Sequence, residues 1–199
     1  MIRHHPNEET LGLHAFGGLK AGARLVVSAH IAACRECRDA VAALEAVAGV
    51  VLETAETAPL APDALARALE QLDAPVAPAR TPIDVQALMD KGWWLPAAPG
   101  LWFKPLSRRV DTGEKLYLLK AKAGVPLPEH GHNGYERLVV LKGTFGDHDG
   151  LYGPGDFAEC DESTVHEPFA KTDCVCLAAT EGPLRFSGVA RWVQPFLGV

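Results

Sequence analysis

Nowhere in its 199 residues does the chain hold a run of about 18 apolar residues, so no segment reads as a helix able to cross a bilayer. The opening residues, MIRHHPNEE, are polar and lack the apolar stretch of a secretory signal. Both absences predict a soluble, cytoplasmic protein with no membrane partner. Basic residues are also short: 19 Lys and Arg stand against 25 Asp and Glu, a formal charge of −6, and they are not clustered. Direct binding to a nucleic-acid backbone is therefore excluded, since phosphate contacts need grouped Lys and Arg. A route to DNA through a basic partner stays open. Cysteine is too sparse for a disulfide framework: there are five, an odd count, and only Cys34 and Cys37 are spaced like ligands, which fits a reducing compartment. No internal repeat or low-complexity segment is present.

What is there divides into two grammars. From Asn7 to Asp73 the chain is rich in Ala, Leu and Glu, with apolar positions at three- and four-residue steps and few β-branched residues. This predicts about four helices: one through EETLGLHAF, capped by Asn7 and stopped at Gly17-Gly18, and one through AGARLVVSAHIAA. A third follows Cys34 with Val41, Leu44, Val47 or Ala48, and Val51 on one face, and a short fourth lies around DALARALEQL. In that last helix Leu65, Leu69 and Leu72 form one stripe, suited to packing on its own bundle or on a partner. Residues 74–82, at the end of DAPVAPARTP, read as a Pro-rich linker. Beyond it KLYLLKAKAG, ERLVVLKGTF and DCVCLAAT are short apolar or alternating runs between Gly, Pro and Asp turns, the pattern of an all-β sandwich or barrel. The expected class is multidomain, α followed by all-β, with boundaries at 1–73, 74–82 and 83–199.

In HIAACREC, His30, Cys34 and Cys37 fall at successive turns and can face one point. A dithiol redox pair usually opens a helix after a strand, whereas here helices lie on both sides, so a structural zinc is the better reading. A helical module of about 70 residues buries a core worth only about 3–5 kcal/mol, which a zinc site can reinforce. The fourth ligand must come from His4, His5 or His14; His5 is preferred, because residues before the first helix can fold back over the next two while His14 is committed to a helix face. These residues resemble the zinc-binding anti-sigma factors, whose helical domain carries H-x3-C-x2-C and clasps an extracytoplasmic-function sigma factor. Residues 41–73 carry six acids against Arg67 alone, a surface suited to a basic partner.

The second constellation is GVPLPEHGHNGYERLVVLKG, where Gly124, His130, His132, Glu136 and Gly143 match the first cupin motif at every spacing. His130 and His132 alternate along an extended segment and point to one side, where Glu136 joins them. His166 in GPGDFAECDESTVHEPF supplies the histidine of the second motif, although its distance from the Pro154-Gly155-Asp156 turn is long and the usual following asparagine is absent. Three imidazoles and a carboxylate suit a divalent Zn, Fe, Mn or Ni ion. His148 reads as a solvated turn residue, and Cys174 and Cys176 as small buried core residues.

A zinc anti-sigma domain joined to a C-terminal cupin, a double-stranded β-helix or jelly-roll barrel, resembles the ChrR type of anti-sigma factor, and the likeness spans essentially the whole chain. It implies that His5, His30, Cys34 and Cys37 hold structural zinc and that His130, His132, Glu136 and His166 hold a second metal. It also implies that the protein inhibits a sigma factor and is not an enzyme, and that the cupin responds to singlet oxygen or related oxidants. The rival class is a metal-dependent cupin dioxygenase or isomerase with a helical oligomerisation module. An enzyme, however, has no evident use for a closed Cys2His2 site beside an acidic helical surface. A DNA-binding zinc module feeding a ligand-sensing cupin is disfavoured by the same acidic helices.

Overall fold

A computed structural model of the chain describes residues 1–72, 84–108 and 113–187. The linker expected at 74–82 lies outside the described residues. Four helices occupy the first part: α1 (Glu8–Ala15), α2 (Ala21–Ala33), α3 (Arg35–Thr54) and α4 (Ala64–Leu72). Local chemistry sets their ends. The Asn7 side chain accepts a hydrogen bond from the Thr10 amide at 2.7 Å, which closes the first turn of α1. Gly17, at φ 77°, ends that helix. Between α2 and α3 a single extended residue, Cys34, breaks the helical run. A short helix unanticipated from the sequence, α5 (Val85–Asp90), precedes the β part.

Among the described residues the β part contains twelve strands: β1 (Leu95–Ala98), β2 (Leu101–Arg108), β3 (Lys115–Ala121), β4 (His130–His132), β5 (Glu136–Lys142), β6 (Phe145–Asp147), β7 (Gly150–Tyr152), β8 (Phe157–Cys160), β9 (Val165–His166), β10 (Phe169–Ala170), β11 (Cys174–Thr180) and β12 (Leu184–Phe186). Six form one antiparallel sheet in the order β1-β2-β3-β11-β5-β8, and the others form two three-stranded sheets, β10-β6-β7 and β12-β4-β9. The non-sequential order, with β11 between β3 and β5, is that of a jelly-roll barrel. Gly143, at φ 74°, makes the turn after β5; a Cβ there would stand 2.0 Å from the Asp173 carbonyl oxygen, so the motif glycine is sterically required.

The large sheet is covered on both faces, which explains why β11 is apolar up to its last residue, Thr180, and why every one of its residues is buried. Its Cys174 and Cys176 share the inner cluster with Val140, Ala158 and Phe145. Its Val175, Leu177 and Ala179 face the other way and pack with Leu116, Leu118, Val139 and Phe157 against Leu19, Ala23, Val26 and Val27 of the α2 region. The helical part therefore shares its largest core with the barrel, and a smaller cluster of Leu11, Cys34, Cys37 and Val41 sits among α1, α2 and α3. Val26 and Val27 are wholly buried, each contributing about 1.5–3 kcal/mol by transfer from water.

Candidate metal centres

The first cluster is built where the α2–α3 break turns the chain. His30, in the last turn of α2, is completely buried and its Nδ1 donates to the Gly155 carbonyl at 2.7 Å. That bond leaves the Nε2 lone pair facing Cys37 Sγ at 3.2 Å. His5 Nδ1 lies 3.4 Å from Cys34 Sγ and 3.3 Å from Cys37 Sγ. The ligand atoms of His5, His30, Cys34 and Cys37 all lie within 4.8 Å of one another. Four N and S donors converging this closely are the donor set of a closed tetrahedral zinc site. Burial, and then the neighbouring Cys34 and Glu36, push the Cys37 thiol up to about 12, so only a cation would hold it as a thiolate near neutrality.

The N-terminal residues are led to this point by the barrel. The Asp156 carboxylate accepts from the amides of Arg3 at 2.6 Å and His4 at 3.1 Å, and the Phe157 amide donates to the His4 carbonyl at 3.0 Å. His4 itself turns its ring onto Tyr152, with centroids 4.3 Å apart, and is not in the cluster. His14 lies on α1 apart from the cluster, where burial lowers its pKa. Beside the group, the Phe157 ring meets His30 edge-on, with centroids 5.7 Å apart.

The second cluster lies inside the barrel. His130 and His132 project from β4, Glu136 opens β5, and His166 closes β9, directly across from His130 in register. All four are buried and their ligand atoms lie within 4.8 Å of one another. His130 Nδ1 donates to the Pro128 carbonyl at 2.8 Å, and His166 Nδ1 faces the Asp147 carboxylate at 3.2 Å. The two Nε2 atoms then stand 3.1 Å apart, lone pair toward lone pair, an arrangement that a cation between them would satisfy. His132 is 2% exposed and neither ring nitrogen has a hydrogen-bond partner among the described residues, an unmet demand of the kind a metal ligand has when its metal is absent.

Electrostatics favour the ligand forms of His132 and Glu136, whereas His130, which burial works to lower, is raised by Glu136 and the Pro128 carbonyl. Burial, aided by His130, His166 and Arg185 against the pull of Glu136, lowers His132 to about 4, which keeps it neutral. Burial works to raise the Glu136 carboxyl, but its neighbours His130 and His132 and the Tyr117 hydroxyl outweigh it and hold it at about 2. The Tyr117 hydroxyl donates to Glu136 Oε1 at 2.6 Å, orienting the carboxylate. Tyr117 and Asp147 were not anticipated from the sequence. The signal for Tyr117 was a lone tyrosine at an inward position of an alternating strand, and Asp147 was concealed in the polar turn GDHDG, although its side chain is only 3% exposed. His148, in that turn, is exposed as expected.

Two groups of expected residues remain apart from any buried cluster. Leu65, Leu69 and Leu72 of α4 are 72%, 54% and 75% exposed, and α4 buries no residue. The apolar face of α3 leaves the body after Leu44, so that Val47, Val50 and Val51 are also exposed. Of the two packings open to the α4 stripe, the one on its own bundle is not formed. Cys174 and Cys176 are buried, as expected.

Residues 84–185 match the family model described as the ChrR cupin-like domain. Over its full length the chain is 35% identical to the anti-sigma-E factor ChrR of Cereibacter sphaeroides, covering 99% of that protein. It is also similar to ChrR in the crystal structure of Rhodobacter sphaeroides SigE in complex with the anti-sigma ChrR, with a TM-score of 0.78 and 35% identity over 90% of this chain and 99% of that one.

Proposed function

Because this chain belongs to the ChrR family of zinc-binding anti-sigma factors with a cupin domain, we propose that it binds and inhibits an extracytoplasmic-function sigma factor through its helical part, and releases it when the cupin meets singlet oxygen or a related oxidant. The observation that carries this reading is the unpartnered apolar surface of α3 and α4. Val47, Val50 and Val51 on α3 and Leu65, Leu69 and Leu72 on α4 are more than half exposed, and exposed apolar faces of this kind mark protein interfaces. Acids interleave with them, which suits a basic partner. The chain is accordingly a regulator and not an enzyme, and it is expected to act in the cytoplasm.

In this reading His5, His30, Cys34 and Cys37 hold zinc, and His130, His132, Glu136 and His166 hold a second divalent ion. The first ion would supply a tetrahedral cross-link between the N-terminal segment and the α2–α3 corner; the second, a Lewis-acidic centre reachable by small oxidants. The protein's own groups orient these ligands: the Gly155 carbonyl fixes His30, Asp147 fixes His166, the Pro128 carbonyl fixes His130 and Tyr117 fixes Glu136. The helical part and the barrel meet along α2 and the 153–157 turn, so a rearrangement in the barrel has a packed route to the zinc cluster.

Co-expression with the sigma factor encoded beside it, followed by co-purification, tests the proposal. Wild type should capture the partner, and Cys34→Ala should lose it by at least tenfold while the barrel keeps its β-sheet signal. Failure of wild type to capture any such factor, or undiminished capture by Cys34→Ala, overturns the reading. Glu136→Ala should still capture but no longer release on exposure to singlet oxygen.

A further inference from the structure

The barrel interior is not filled. Small barrels ordinarily pack their centres with side chains, yet here a cavity of about 220 Å³ opens onto the second cluster. Alanines at 97, 121 and 178 leave the room, while Leu138 and Phe145 form part of its wall. Nitrogen and oxygen side-chain atoms on the lining come only from Tyr117, His130, Glu136 and His166, which all belong to the cluster or bond to it. The cavity is thus apolar along its length and polar at one end.

From this we infer that the barrel is a binding site for a small apolar monocarboxylate, its carboxylate at the histidine end and its hydrocarbon body among the alanines and leucines. Size and charge both argue for that class. An apolar cavity of about 150 Å³ accepts benzene, so about 220 Å³ accommodates roughly nine heavy atoms. Three neutral imidazoles and one carboxylate leave a divalent ion with a unit of positive charge toward the cavity, and a buried charge requires a partner. The Asp147 carboxylate stands behind His166 and outside the lining, so it does not occupy that place. A second charged group on the ligand would meet hydrocarbon and the thiols of Cys174 and Cys176, none of which carries a compensating charge. The inference rests on the proposed metal set in the barrel and not on sigma-factor binding.

The test is calorimetric titration of the full chain, loaded with Zn2+, with straight-chain monocarboxylates of increasing length and with benzoate and glutarate. Affinity should rise about fourfold per methylene, the transfer free energy of one buried CH2, and stop rising near heptanoate when the cavity is full. Glutarate, doubly charged, should bind at least tenfold more weakly than heptanoate. Ala178→Leu should move the break to shorter acids. Ala97→Leu, a half-buried position on the edge strand β1, should do the same. His166→Ala should cost at least tenfold for every acid. A flat series, equal binding of glutarate, or an unmoved break in Ala97→Leu overturns the site. None of these results depends on whether the sigma factor is captured, so the two readings fail separately.

Discussion

Asp156 connects the barrel to the segment that delivers His5. Burial works to raise its pKa, but the amides of Arg3, Gly153 and His4 donate to its carboxylate and hold it below the usual carboxyl value. A depressed folded-state pKa contributes stability that is complete above the unfolded value, near 3.9, and is lost as pH falls through the folded one. Docking of the N-terminal segment should therefore be flat from pH 7 to 5 and weaken below about pH 4. Asp156→Ala, which removes charge-assisted hydrogen bonds from a 5% exposed site, should cost about 2–3 kcal/mol at neutral pH and abolish the acid step. Amide exchange at Arg3, His4 and Phe157 measures both, and an acid step retained in the variant would assign it to another group. This residue also shows what spacing could not reveal. His4 and His5 are equivalent in sequence, and only the barrel's grip on the His4 backbone turns one ring onto Tyr152 and the other toward the two cysteines.

At the scale of elements, α4 is the clearest departure from a self-contained bundle. A helix with no buried residue contributes little to the fold, so changing its leucines should leave stability almost untouched, within about 0.5 kcal/mol. The double substitution Leu65→Asp and Leu69→Asp should instead reduce sigma-factor capture at least tenfold, with an unchanged melting temperature. A fall in melting temperature of several degrees would mean that the leucines pack within the chain. The boundaries of α1 to α4 were legible because caps and breakers are local: Asn7, Gly17 and the ends of the Ala-rich runs carry their own signals. The barrel strands 115–121, 136–142 and 174–180 and the grouping of His130, His132 and Glu136 were legible for the same reason. What the outer face of the sheet packs against was not. Val26 and Val27 fit a helical stripe whatever covers them, and the run of apolar residues in β11 says that both faces are buried without saying by what.

Taken whole, the molecule joins its two clusters through neighbouring residues on single strands. On β5, Glu136 points into the barrel, and Arg137, 3% exposed, points out to Glu159 and Glu181. Glu159 in turn accepts from the Thr10 hydroxyl of α1, at 2.9 Å and 3.0 Å, and Glu181 pairs with Lys20, just before α2, at 2.9 Å. Glu114 adds a third tie: its buried carboxylate accepts from the amides of Gly22 and Ala23 in the first turn of α2, where a negative charge suits the helix dipole. Arg137 is thus the hub through which the barrel holds two helices at once. Arg137→Met keeps the volume but leaves Glu159 without its cation and Glu181 with Lys20 alone, and should destabilise the protein by about 2–4 kcal/mol. Lys20→Met, at the half-exposed end of the same chain of ion pairs, should cost no more than about 1 kcal/mol. The distribution matters more than the sum. If the hub holds the helices, amide protection in Arg137→Met falls first in α1 and α2 and leaves the 130–132 strand protected. If protection is instead lost evenly across the barrel, Arg137 acts as a core residue of the sheet and the helices are held by the α2 apolar face alone.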